Sequence, residues 1–187
     1  MIGSSRQSAS RMRITTRVAL GLSGGAIVAL TAVPVHAVDQ GCRTYAPDRR
    51  VAAGFTEKAE TQVRLNGDWM RAAELMVDAA TSRPKCDPRR FEAWRLAAKY
   101  YQFAGKHGEA SRASYEAGKQ GVRTGDPAAA ATAFIEAATF ALEAHDRAMA
   151  RCAARRAAVL AESPLLTPIQ RIAIRGRADY LLRAGGA

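Results

Sequence analysis

Three triplets of small residues recur at one spacing, and they limit what this chain can fold into more than any other feature. Gly67, Ala72 and Ala79 stand five and then seven residues apart. Gly105, Ala110 and Ala117 repeat those offsets 38 residues on, and His145, Ala150 and Ala157 repeat them after a further 40, with histidine in the glycine's place. A glycine lets a chain leave one helix in a left-handed turn, and alanines on the returning helix let its partner lie close. Self-similarity with a period of roughly 20–50 residues points to repeated supersecondary units that stack on one another. Upstream of the second and third triplets, Trp94, Ala97, Ala98 and Tyr101 are echoed by Phe134, Ala137, Ala138 and Ala141.

Past Cys42 no stretch alternates apolar and polar residues between turn signals, so no strand is expected. Helical patterns recur instead, at about 48–66, 68–82, 88–104, 107–123, 127–144, 146–162 and 168–184. Asp87-Pro88 and Asp126-Pro127 each offer a carboxylate cap followed by a proline whose missing N–H costs nothing there. Thr167 and Gln170 make a capping box, while Gly105, Gly121 and Gly125 stand where chains leave helices. Phe91, Trp94, Ala98 and Tyr101 share one face, and Ile169, Ile172, Ala173, Gly176 and Tyr180 share another, which is expected to face the core. The fold class expected is all-α, built of antiparallel helix hairpins joined by short turns.

Trp94, Ala98, Tyr101, Gly105, Ala110 and Ala117 follow, in order, the series of the tetratricopeptide repeat (TPR) family, which the chain resembles over about 48–162. Gly67, Ala72, Ala79 and Pro84 match the second half of that series. The resemblance implies a TPR-like α-α superhelix of about three repeats, with the helix at 168–184 as a C-terminal cap. The chain departs from the pattern in its longer spacings, in Ser114 where a bulky aromatic is usual, and in lacking a proline after Ala117. A generic α-α bundle is the competing architecture.

Residues 1–37 read as a secretory signal peptide: Arg6, Arg11, Arg13 and Arg17, an uncharged run from Val18, and Val35-His36-Ala37 before a cleavage point after Ala37. The alternative is an inner-membrane anchor through residues 18–38. Removing the four leader arginines from 28 basic residues leaves 24 against 17 acids, a net charge of +7 for residues 38–187, the single mature domain. Such a chain is exported, periplasmic or extracellular, and its field favours anionic partners other than nucleic acid. Of three cysteines, Cys42 and Cys86 are placed to form a disulfide in an oxidising compartment, and Cys152, mid-helix among apolar neighbours, reads as a buried free thiol.

The resemblance implies a scaffold of the bacterial cell envelope that holds a segment of a partner protein in a concave groove. The groove positions would be Glu92, Arg95, Lys99, Gln102 and Phe103 on one hairpin and Ile135, Thr139, Leu142 and Glu143 on the next. The alternative is a basic binder of anionic envelope polymer or lipid headgroups, through Arg147, Arg151 and Arg155 at helical spacing together with Arg171 and Arg175. No catalytic, cofactor or metal site is expected. His107 and His145 each stand near an acid but in no recognised pattern, and Gly21-Leu22-Ser23-Gly24-Gly25 falls inside the leader.

Overall fold

A computed structural model describes residues 46–186, and every regular element among them is an α-helix. The helices are α1 (Ala46–Asn66), α2 (Trp69–Thr81), α3 (Arg89–Phe103), α4 (His107–Thr124), α5 (Pro127–Glu143), α6 (Arg147–Leu160) and α7 (Pro168–Gly186). No helix end differs from its expected position by more than two residues. The expected leader, its expected cleavage point after Ala37 and Cys42 lie outside the described residues.

Local chemistry sets the ends. Gly105, Gly125 and His145 take φ of +70°, +75° and +59°. At each, a paired set of amide-to-carbonyl bonds closes the preceding helix: Gly105 to Gln102 and Lys106 to Tyr101, Gly125 to Val122 and Asp126 to Gly121, His145 to Leu142 and Asp146 to Ala141. These are Schellman closures, and each satisfies carbonyls that the helix end would otherwise leave orphaned. The next helix starts at once, with Asp68, Asp126 and Asp146 accepting from the amides of Arg71, Ala129 and Met149 at 2.9 Å. Thr167 and Gln170 form the expected box, each side chain accepting from the other's amide.

His145 is the one non-glycine residue with positive φ among the described residues. A left-handed conformation costs an L-residue roughly 1–2 kcal/mol, and His145 is exposed, so little packing is lost with its ring. His145→Gly is therefore expected to stabilise the protein by about 1 kcal/mol, read as a higher urea midpoint at unchanged slope.

Each helix packs on the one before and the one after, and α7 also rests on α5. Neighbours run antiparallel: Trp69 at the start of α2 meets Phe103 at the end of α3, and Gly121 late in α4 meets Ala130 early in α5. The interfaces are made of small side chains. Ala72, Ala79, Ala110, Ala117, Ala150 and Ala157, the alanines of the three triplets, are all fully buried. One apolar cluster joins α1 to α4 and receives Phe140; a second joins α5, α6 and α7 around Phe134, Ile174 and Leu181. Ser111 ties α4 to α5 by donating to the Ala137 carbonyl at 2.8 Å, and Ser114, in the position where an aromatic was expected, is fully buried.

The structure corrects the reading of Gly121. It does not end α4; it lies inside it, where a Cβ would come within 2.9 Å of the backbone N and Cα of Ala130. The obstruction is backbone, which cannot swing aside. Gly121→Ala is expected to cost about 2 kcal/mol, an overpacking strain near 3 offset by about 1 of helix propensity. Gly54→Ala in α1, whose Cβ would meet nothing within 4 Å, should instead stabilise by nearly 1 kcal/mol. Urea unfolding of the two variants checks the opposite signs.

Candidate functional site

The expected groove divides sharply. On α3, Glu92, Lys99 and Gln102 are exposed, and Arg95 is half-buried between Glu92 and Glu136, 3.9 Å from each. Phe103 is 62% exposed, with one side of its ring against Trp69 at 4.9 Å between centroids. On α5 the expectation is half wrong. Ile135 is buried and Leu142 packs partly buried beside it, both in the cluster that α7 completes. Thr139 is half-buried and donates to the Ile135 carbonyl at 3.0 Å, while Glu143 is exposed and sits 2.9 Å from His107 Nδ1. The reason is α7: by lying on α5 as well as α6 it covers the positions that an open groove would have left bare. An α3 wall remains, crossed by the Arg95–Glu136 contact.

The expected anion surface is also reduced. Arg151 donates to the carbonyl of Gly185 at 2.8 Å, so it fastens the end of α7 instead of facing solvent ligands. Arg175 is held by Glu162 and by Asp179. Arg147, Arg155 and Arg171 are exposed.

The largest departure from expectation is α7 itself. Its buried residues are Ile174, Ala178, Leu181 and Gly185, spaced to share one face. The face expected to be core points outward: Ile169 is 81% exposed, Ile172 75% and Tyr180 62%, and Leu165 just before the helix is 74% exposed. Both faces of α7 carry apolar residues, and the contact takes the one that ends in Gly185. Gly185 shows why: a Cβ there would lie 3.2 Å from Arg151 Cγ. Residue size alone did not carry the signal, since Ile174 and Leu181 lie on the buried face beside Ala178 and Gly185, and Ala173 and Gly176 lie on the outward one. The outward stripe of α7, with exposed Arg177 and Arg183 beside it, is an apolar helix face left bare. Contiguous exposed apolar surface of this kind marks interaction sites.

The α2–α3 connection holds the most deeply buried charges. Asp87 caps α3 through the Arg89 amide at 2.9 Å, and its other oxygen faces Arg83 and Arg49, each 3.8 Å away. Burial lowers the Arg83 pKa against the pull of Asp87, and burial followed by the charge of Arg123 lowers that of Arg90. Arg90 donates to the Arg83 carbonyl and Gln120 to that of Lys85, so both side chains hold the loop in place. Cys86 in this loop is disulfide-bonded, and Cys42, its expected partner, lies outside the described residues. Cys152 is a free thiol as expected but an exposed one, 3.6 Å from the Tyr115 hydroxyl. Burial, and then that sulfur contact, raise the Tyr115 pKa.

Among the described residues no group of His, Cys, Asp and Glu is arranged to hold a metal ion, and no helix is long and apolar enough to cross a membrane. Comparison with family models, with curated proteins and with solved structures returned no match.

Proposed function

We propose that the chain is an exported, TPR-like interaction scaffold of the bacterial cell envelope that holds a helical segment of a partner protein. The observation carrying this reading is the outward stripe of Leu165, Ile169, Ile172 and Tyr180 at the C-terminal edge of the array. A helical array whose last element were a cap would turn a polar face to water. The outward face of α7 is instead apolar with the periodicity of a helix seam, so the complementary surface is another amphipathic helix. Arg177 and Arg183 beside the stripe favour acidic residues beside that helix's apolar stripe. The α3 wall, with Glu92, Lys99, Gln102 and Phe103, is the remaining part of the groove that the family resemblance implies, and of these four only Phe103 is apolar. Export rests on the leader sequence. The anionic-polymer alternative is weakened because Arg151 and Arg175 are engaged within the protein.

The test is capture from envelope extract by immobilised chain 38–187. A partner retained at moderate ionic strength and lost with the double variant Ile169→Glu/Ile172→Glu is the expected result. Capture that ignores this pair but disappears with Arg95→Ala/Lys99→Ala would move the site to the α3 wall. Steep loss of capture with salt alone would favour the polyanion reading.

A further inference from the structure

A second site lies between α4 and α6 and shares no residue with the α7 stripe. Val122 on α4, Phe134 on α5, and Arg155, Arg156, Val159 and Leu160 on α6 enclose an open cleft of about 310 Å³. Its floor is Phe134, 1% exposed, and its walls include Val122 and Val159, 50% and 72% exposed. Apart from the two arginines the lining is hydrocarbon, and no acidic residue borders it. Arg156 stacks its guanidinium over the rings of Tyr115 and Phe134, 5.3 and 5.8 Å from their centroids. Neither Arg155 nor Arg156 has an ion pair among the described residues, unlike Arg71, Arg95 and Arg175. The Phe134 ring is seated directly against α4 at buried Gly118, where a Cβ would strike it at 2.7 Å.

We propose that this cleft binds a small single-chain anionic amphiphile, with its alkyl chain over Phe134 between Val122 and Val159 and its anionic head between Arg155 and Arg156. Each half of the ligand answers an observation. Two guanidiniums without carboxylate partners at a rim recognise carboxylate or phosphate oxygens, bidentately where geometry allows. An apolar floor offers nothing to a sugar polymer or a nucleic acid but gains from every methylene it removes from water. The volume lies at the small end for ligand pockets, which suits one short chain and not a two-chain lipid body. The site shares no residue with the proposed partner surface, so either can fail alone.

Titration calorimetry of chain 38–187 with octanoate, 1-octanol and acetate tests it. Octanoate should bind, octanol should bind about tenfold more weakly for want of charge-assisted hydrogen bonds, and acetate should give no heat. Arg155→Gln/Arg156→Gln should lower octanoate affinity to the level of octanol, and Val159→Glu should abolish it. Both variants change exposed side chains, and unchanged far-ultraviolet circular dichroism shows that they fold. Ile169→Glu/Ile172→Glu should leave octanoate binding as it was. The proposal is overturned if octanoate fails to bind at millimolar concentration, if octanol binds equally well, or if the arginine pair has no effect. Binding to anionic phospholipid vesicles without binding of monomeric octanoate overturns it too, since that pattern is surface attraction. So does loss of octanoate binding in the α7 variant, which would place the chain on that stripe.

Discussion

Phe134→Ala is expected to remove about 4–5 kcal/mol, near the top of the range for deleting a buried aromatic side chain. Phe134 is the largest fully buried side chain among the described residues. Its ring meets Tyr115 edge-on at 5.2 Å and lies against Gly118. The cost of such a deletion depends on how far the surroundings can fall into the void. Here the apolar cluster around it is largely Ala131, Ala137, Ala138, Ala153, Ala154 and Ala157. On that side an alanine has no rotatable side chain to swing inward, so the void stays open; on the other the ring borders the cleft lined by Arg156, Val159 and Leu160. With total stabilities of about 5–15 kcal/mol for a domain, that loss takes a large share of what holds the protein folded. Phe134→Leu, which keeps most of the volume, should cost well under half as much. Urea midpoints at constant slope measure both, and a loss below about 1 kcal/mol for Phe134→Ala would show that alanine interfaces relax more freely than this packing implies.

The parts of the fold that depend on neighbours in sequence were legible. A residue at a left-handed turn position, followed by an aspartate whose carboxylate meets the third amide of the next helix, is a local arrangement. It is present at Gly67–Asp68, Gly125–Asp126 and His145–Asp146, while Gly105 makes the same turn before Lys106, which has no capping side chain. The histidine at 145 could be placed at a glycine position because the two alanines after it kept their offsets, and its φ of +59° shows it in that role. The expected capping box at Thr167 and Gln170 is present for the same reason.

What required contact with another element was not legible. Gly121 looked like an exit because glycines often end helices, yet it is held inside α4 by how near α5 comes. Ile135 and Leu142 were read as groove residues because nothing in α5 announces that α7 will lie over them. Cys152 was read as buried from its apolar neighbours along the chain, but its side of α6 faces outward beside Tyr115. For α7 the periodicity allowed two apolar faces, and hydrophobicity alone favoured the larger residues. The face that packs combines Ile174 and Leu181 with Ala178 and Gly185, where Arg151 comes near, and the Ile169–Ile172–Tyr180 face is left for something else. The candidate interaction surface is therefore a consequence of packing geometry, and it coincides with the residues that the sequence marked most strongly as core.

The most direct test is a comparison of Leu181→Ala with Ile172→Ala in urea unfolding. Leu181 is 3% exposed and Ile172 75% exposed on the same helix. Burial of the Ile174–Ala178–Leu181 face predicts a loss of about 2–3 kcal/mol for Leu181→Ala and a change within about 0.5 for Ile172→Ala. The reverse order, with Ile172→Ala the damaging substitution and Leu181→Ala silent, would contradict both the seating of α7 and the binding surface that follows from it.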